Sequence, residues 1–318
     1  MKYLLICFIF CCQYATAQQT WKPASDTFGI FPKGLNIFRS TDTLDGKPFV
    51  AWYAIADLEN KALSFTVDTS KDRRLTPQQF YLKNTKAVLV VNTTFFSFQT
   101  NKSLNVVVQN GKPLAYNTNS IAQKGKDTLT YKHPLASSIG INKKRKADVA
   151  WTYTDSSLNK VYAVQHIQRP LKDSLNYFQL HTARSYYGKG GKLKKWKIST
   201  AVGGGPVLVQ DSKIAVSNNE ELKFAGKAIN DKHPRTLMGY TATNQLIVMV
   251  IEGRNPGIAE GASLTQCAKL MIDLGCVEAL NLDGGGSSCM LINGKETIKP
   301  SDKGEQRPVP AVFIIEAK

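Results

Sequence analysis

Apolar and polar residues alternate along much of the chain in short runs, and turn-forming residues separate one run from the next. A period of two with such punctuation is typical of strands joined as hairpins. Asp45-Gly46 and Thr243-Asn244 each lie between two runs, and Asn110-Gly111 follows another, so each pair predicts a hairpin turn. The pattern predicts strands over residues 36–40, 49–56, 62–67, 87–92, 104–109, 138–142, 149–153, 161–166, 236–241 and 246–252.

One segment, residues 264–274, has the periodicity of a helix instead. Its apolar positions recur at i, i+3, i+4 and i+7 and are Leu264, Cys267, Ala268 and Met271. Ser263 with Gln266 three residues later forms a capping-box pattern, and Gly275 is placed to end the helix. The sequence therefore predicts a helix with Cys267 on its buried face.

A second, shorter helix is predicted over residues 77–82, and a strand over residues 278–282 follows the long helix directly. Helix and strand alternate near this end of the chain, so the pattern favours the α+β class. We expect a single domain with a strand-rich mixed sheet and a few packed helices. The polar stretch 165–197, rich in glycine and lysine, is predicted to be a mobile insertion.

Residues 1–17 have the pattern of a secretory signal. Lys2 precedes an apolar run over residues 3–12, and Ala15-Thr16-Ala17 offers small residues for cleavage. A transmembrane anchor needs about 20 apolar residues, which this run does not reach. No other segment is predicted to span a membrane. We therefore expect export to the periplasm, the cell surface or the medium, with cleavage near Ala17.

The net charge and the cysteine count limit the classes of partner and the disulfides that the chain can have. The net charge of +17 favours an anionic partner. Nucleic acid is excluded because an exported chain without a reading motif is a poor match for it. Three of the six cysteines lie in the predicted signal, so the odd number that remains argues against a complete disulfide framework.

The most informative segment is NLDGGGSS, residues 281–288, which follows an apolar run. Consecutive glycines permit positive φ angles and let a ligand approach the backbone. Asp283 precedes them, and the donors that can converge on an anionic oxygen are those of Gly284, Gly285, Gly286, Ser287 and Ser288. The alternative is a tight turn with no ligand.

Two arginines and two further segments complete the candidate site. Arg235 begins one strand of a predicted hairpin and Arg254 follows its partner strand, so both guanidinium groups are expected near one end of the sheet. Two such groups grip a phosphate bidentately, although plain salt bridges to Glu252 or Asp231 are the alternative. The remaining candidates are Gly204 and Gly205 in a second glycine run, Thr236 beside Arg235, and Asn92 at a strand end.

Taken together, these segments resemble the phosphodiester glycosidase family. The matching stretches are residues 203–206, 234–236, 252–254, 281–288 and 306–310, in the family's order from about Asn92 onward. The resemblance divides the chain into a signal peptide, residues 1–17, an N-terminal strand-rich part of the domain, residues 18–80, and a phosphodiester glycosidase-like catalytic domain, residues 81–318. Two departures are Glu252-Gly253-Arg254 where the family commonly has Asp-Gly-Arg, and Asn92-Thr93-Thr94 where it commonly has Asn-Gly.

The resemblance implies hydrolysis of a sugar-1-phosphodiester to free sugar and a phosphomonoester. Arg235 and Arg254 would neutralise charge on the departing phosphate, and Asp283 or Glu252 would activate water or stabilise the anomeric carbon. Either carboxylate could be the base.

No cofactor is expected, although Asp283, Glu252 and Asn92 would suit Ca²⁺ or Mg²⁺. A phosphorylated or anionic glycan is the expected partner, and the oligomeric state is left open. The rival hypothesis is a non-catalytic protein that binds anionic or phosphorylated cell-surface glycans.

Overall fold

The computed structural model describes residues 19–125, 127–190 and 192–318. The predicted signal peptide lies outside these described residues. Within them there are four α-helices: α1 Pro77–Lys83, α2 Leu180–Tyr187, α3 Asn218–Glu221 and α4 Leu264–Asp273. Short 3-10 turns cover Ser25–Phe28, Gly188–Gly190, Gly226–Ile229 and Gly285–Ser287. No helix in the described part of the chain is both long and apolar enough to cross a bilayer.

A central sheet of eight strands carries the ends from which the candidate site is built. Its spatial order is Lys22–Pro23, Leu35–Ser40, Ala51–Asp57, Gln245–Ile251, Arg235–Thr241, Cys276–Asn281, Val207–Gln210 and Lys213–Ile214. The N-terminal strands therefore share a sheet with strands from the C-terminal third. One sheet thus unites distant parts of the chain.

Two further large sheets pack around the central one. The seven-stranded sheet has the order Lys194–Lys195, Lys160–Val164, Ala147–Asp155, Ala136–Ile141, Thr200–Gly203, Val107–Gln109 and Lys112–Ala115. The five-stranded sheet has the order Lys295–Glu296, Met290–Ile292, Ala87–Asn92, Ala311–Ala317 and Leu63–Thr69. A three-stranded sheet (Ile121–Ala122, Tyr131–His133, Leu171–Asp173) and the hairpin Thr43–Leu44 with Lys47–Pro48 complete the strands.

The predicted α+β class and its strand-rich character are confirmed. The pairing corrects one detail, because every strand pair of the described residues is antiparallel and none of the sheets is mixed. Helix α4 does join two strands that run in the same direction, Gln245–Ile251 and Cys276–Asn281. Arg235–Thr241 lies between them and pairs antiparallel with both, so the crossover makes no parallel contact.

Helix α4 covers the central sheet with the face that the periodicity predicts. Leu264, Cys267, Ala268 and Met271 are each fully buried. The Ser263 hydroxyl accepts from the Gln266 amide, and the Gln266 side chain accepts from the Ser263 amide, so the predicted capping box is present. The burial of Cys267 is thereby confirmed.

The stretch 165–197 contributes more to the core than its polar composition indicates. Helix α2 lies within it, and both Phe178 and Tyr187 are buried. The Tyr187 hydroxyl donates to the His133 carbonyl at 2.6 Å, and the Tyr153 hydroxyl donates to the Phe178 carbonyl at 2.8 Å. These aromatic side chains hold the stretch against the seven-stranded sheet.

Candidate functional site

Strand register brings the predicted chemistry to one edge of the central sheet. Arg235 pairs with Ile251, so Glu252 and Arg254 leave the sheet where Arg235 enters it. Leu237 pairs with Asn281 on the other side, which places the start of the glycine loop at the same edge. The hairpin argument from sequence is therefore confirmed for the backbone positions of Arg235 and Arg254.

Asn92 joins three segments behind this edge. Its side chain is fully buried. Its Nδ2 donates to the Asp283 carbonyl at 2.6 Å, while its Oδ1 accepts from the Thr236 hydroxyl at 2.8 Å and from the Cys289 amide at 3.1 Å. Asn92 and the equally buried Thr236 therefore hold the loop in place and do not line an open surface.

The glycine loop packs so closely that side chains would not fit. A Cβ on Gly284 would lie 2.8 Å from the Pro234 carbonyl, and one on Gly285 would lie 3.0 Å from a guanidinium nitrogen of Arg254. A Cβ on Gly286 would collide with the guanidinium of Arg307. Two arginines thus lie directly on the glycine backbone.

The amides of this loop do not all face a ligand. Gly285 N–H donates to the Pro234 carbonyl at 2.8 Å, and the Ser287 and Ser288 amides close turns within the loop. The Gly284 amide instead donates toward the Asp283 carboxylate. The predicted cradle of converging glycine amides is therefore used in part to shape the loop and to hold Asp283.

Asp283 is half-buried at the start of the loop. Burial raises the pKa of its carboxyl to about 7, and the Ser287 hydrogen bond, the Arg307 charge and the Gly284 amide oppose that rise. None of the ion pairs among the described residues joins Asp283 to an arginine. Arg307, whose charge acts on Asp283, pairs with Asp302 at 2.8 Å. The carboxyl can therefore exchange a proton near neutral pH.

Arg235 is 2% exposed and forms no carboxylate pair within the described chain. Its Nε donates to the Ala262 carbonyl at 2.9 Å, and a terminal nitrogen donates to the Asp231 carbonyl at 3.0 Å. Its guanidinium lies 5.6 Å from the centre of the Phe224 ring. Burial lowers the pKa of Arg235, and the nearby positive charge of Arg254 adds to the effect. The salt-bridge alternative for Arg235 is not what the structure shows.

Glu252 has a different environment from Asp283. Its side chain is 8% exposed. One oxygen accepts from the Asn255 side chain at 3.2 Å and the other from the Lys299 amide at 3.1 Å. Both oxygens thus hold neighbouring loops, which makes Asp283 the better placed carboxylate for chemistry.

The second glycine run forms the neighbouring wall. Gly205 N–H donates to the Asn281 carbonyl at 2.7 Å, and Asn281 Nδ2 donates back to the Gly205 carbonyl at 3.0 Å. Asn105 Nδ2 donates to the Gly204 carbonyl at 3.3 Å. A Cβ on Gly204 would lie 2.6 Å from the Asn281 carbonyl. The second glycine run therefore packs against Asn281 and Leu282, the residues that precede the glycine loop.

Two residues at this edge received no role from the sequence. Arg307 lies against Gly286, and its Nη1 is 3.5 Å from the Ser287 hydroxyl. The pKa of His233 is lowered by burial and by the charges of Arg235 and Arg254, and its buried Nδ1 has no partner in the described structure. The motif around Arg307 is present in the sequence, but nothing in the sequence indicates that Arg307 contacts Gly286 and Ser287.

No group of three or more His, Cys, Asp and Glu side chains in the described ranges is arranged to hold a metal ion. Two of the side chains whose oxygens would suit Ca²⁺ or Mg²⁺ already have protein partners, because Asn92 and Glu252 accept the hydrogen bonds described above. Independence from cofactors stays a prediction.

A family model described as phosphodiester glycosidase matches residues 85–316. The chain belongs to this family. The resemblance read from the sequence motifs is thus confirmed. Cattle N-acetylglucosamine-1-phosphodiester alpha-N-acetylglucosaminidase is 28% identical over 99 residues, which are 31% of this chain and 18% of the cattle protein. The alignment therefore spans less than a fifth of that relative.

Solved structures show the same fold over more of the chain. The catalytic domain of zebrafish N-acetylglucosamine-1-phosphodiester alpha-N-acetylglucosaminidase, auto-inhibited by its pro-peptide, has a TM-score of 0.56 at 18% identity and covers 95% of this chain and 89% of that one. A hypothetical protein from Synechocystis has a TM-score of 0.59 at 16% identity, with 90% of this chain and 62% of that chain covered. The chain therefore has the same fold as the zebrafish catalytic domain.

Proposed function

We propose that the protein hydrolyses the glycosidic bond of a sugar-1-phosphodiester and releases free sugar and a phosphomonoester. The observation that carries this proposal is Asp283, a half-buried carboxyl with a pKa of about 7, on a glycine loop that two arginines contact directly. Named activities of family members support the reaction class.

The arginines supply the first requirement, which is to hold an anionic group. Arg254 is exposed and lies on Gly285, while Arg307 lies on Gly286. A guanidinium binds two phosphate oxygens in one plane. Arg235 adds positive charge from the buried side. Charges already in place would stabilise the departing phosphate, and a single such donor contributes roughly 3 kcal/mol to transition-state stabilisation.

Asp283 supplies the second requirement, which is to activate water. In its ionised form the carboxylate takes a proton from water as the water oxygen bonds to the anomeric carbon. The bond between that carbon and the phosphate oxygen breaks, and its electron pair leaves with the phosphomonoester. A pKa near 7 makes Asp283 a stronger base than an ordinary aspartate and still leaves much of it ionised at neutral pH.

The location and the partner follow from the same proposal. The signal-like pattern of residues 1–17 supports export, and the net charge of +17 supports a phosphorylated or anionic glycan as substrate.

A panel of sugar-1-phosphodiesters tests the proposal by the release of reducing sugar and of phosphomonoester in equal amounts. We expect release by the wild-type protein, and a loss of two or more orders of magnitude in Asp283→Asn with a Tm at or above that of wild type. Asp26→Asn, a change at an exposed carboxylate elsewhere, is the matched control. Binding of the diesters without any release of sugar would favour the rival binding protein.

A further inference from the structure

A cleft of about 360 Å³ opens beside Gly204 and Gly205 of the second glycine run. Its lining is mainly apolar, from Phe95, Leu104, Ile121, Pro134, Ala136 and Leu222, with polar groups from Asn105, Thr118, Glu221 and Lys223. Sites for small molecules of this size are commonly apolar with a few placed polar groups. The function proposed above uses none of the apolar residues of this cleft.

The cleft shares its walls with the candidate active site. Asn105 Oδ1 accepts from the Phe95 amide at 3.2 Å, and Asn105 Nδ2 donates to the Gly204 carbonyl. The Thr93 carbonyl, two residues before Phe95, accepts the Asp283 amide at 2.7 Å. The cleft and the candidate site are therefore joined through Asn105 and the backbone of residues 93–95.

Lys223 lies where this cleft meets Gly205 of the second glycine run. A Cβ on Gly205 would lie 2.5 Å from Lys223 Cε, and Lys223 Nζ lies 5.3 Å from the centre of the Phe95 ring. None of the described carboxylates lies within salt-bridge distance of Nζ. The nearby Glu221 instead accepts hydrogen bonds from Ser137, Trp151, Ser217 and the Val207 amide. Burial lowers the pKa of Lys223, and the charge of the nearby Glu221 opposes that change. An anionic ligand beside Nζ would favour the protonated amine.

We infer that this cleft binds the alcohol side of the phosphodiester, and that this alcohol is apolar, such as an alkyl or acyl-bearing alcohol. The inference rests on the function proposed above. A phosphate at the glycine loop would contact Arg254, and the ester chain would lie on Phe95, Leu104 and Ile121. Leu104 and Ile121 are 38% and 36% exposed, so an alkyl chain would cover apolar surface that now faces water.

Two substrates with the same sugar and phosphate test this inference. One carries an n-octyl ester and the other an oligoether ester of the same chain length, so the leaving groups differ little in acidity. We expect wild-type kcat/KM to favour the octyl ester by about tenfold or more, which roughly two buried methylene groups would supply. Leu104→Asn and Ile121→Asn should lower kcat/KM for the octyl ester by more than for the oligoether ester, and so reduce that preference.

Ile214→Asn is the matched control, because Ile214 is 45% exposed on an edge strand and does not line the cleft. It should keep the octyl preference. Equal rates for both esters would overturn the inference while leaving the proposed function standing. Equal losses on both esters in the cleft variants would overturn it too, because the cleft would then hold the sugar. No release of sugar from either ester would contradict the proposed function itself.

Discussion

The pH dependence of kcat/KM gives the sharpest test of the role of Asp283. If the ionised carboxylate is the active form, kcat/KM should follow the ionised fraction of Asp283 in the free protein, whose pKa is about 7. The ionised fraction is roughly 0.09 at about pH 6 and roughly 0.91 at about pH 8, so kcat/KM should rise about tenfold between these values. An aspartate with an ordinary pKa of 3.8 would give a flat profile over this range.

The neighbours of Asp283 determine where that rise lies. The Ser287 hydrogen bond and the Arg307 charge both lower the Asp283 pKa. Ser287→Ala and Arg307→Met should therefore raise that pKa and move the midpoint to higher pH, while Asp26→Asn should leave it in place. A diester substrate does not titrate between about pH 5 and 9, so the midpoint belongs to the protein.

The same pKa makes a prediction about stability with the opposite trend. Because the folded-state pKa is raised from 3.8, the folded protein binds this proton more tightly than the unfolded chain. Ionisation of Asp283 therefore destabilises the fold as pH rises from about 4 to about 7. Asp283→Asn removes that penalty, and its Tm at about pH 8 should equal or exceed that of wild type.

The assay is an initial-rate measurement of free sugar across this pH range with one diester, with the Tm recorded in the same buffers. A flat profile in the wild-type protein would refute the raised pKa as the source of reactivity. A rate that falls with pH through about 7 would show that the protonated form acts, and the general-base role would then be wrong.

Four other changes have separate expected results. Arg254→Lys keeps the charge but loses the planar fork, so kcat should fall and KM rise by about tenfold each with an unchanged Tm. Asn92→Ala removes the hydrogen-bond partner of the Asp283 carbonyl, the Thr236 hydroxyl and the Cys289 amide. The free energy of unfolding measured with denaturant should therefore drop by about 3–5 kcal/mol. Cys267 is fully buried with its thiol pKa raised to about 12, so thiol reagents should modify it only after unfolding. Chelation with EDTA should leave sugar release unchanged, and restoration of a lost rate by Ca²⁺ or Mg²⁺ would show a metal requirement.

Local patterns determined the secondary structure closely where one face of an element is buried. The strand predicted over residues 87–92 is observed as Ala87–Asn92, and the helix over residues 264–274 as Leu264–Asp273. A period of two or of 3.6 residues is set by which side chains face the core, so it is legible in the sequence. Helix α2 lacked such a signal, because its stretch is polar and only Ala183 and Tyr187 are buried within it.

The sequence also supplied the chemical groups of the site, through the glycine runs, the arginines and Asp283, because these motifs lie next to strand ends. Which carboxylate is tied to neighbouring loops was decided by tertiary structure alone. Asp283 and Glu252 look alike in the sequence, yet the Asn255 side chain and the Lys299 amide use both oxygens of Glu252. The Lys299 partner is distant in sequence, so no local pattern could show the contact.

The sequence by itself determined the strand-rich α+β class, the buried face of α4 and the family, because each depends on residue types at short spacing. Only the tertiary structure decided that Asn92 donates a hydrogen bond to the Asp283 carbonyl, that Arg307 contacts Gly286, and that burial raises the pKa of Asp283. Those properties depend on the packing of segments up to about two hundred residues apart. Desolvation and close contact arise only when such segments are brought together.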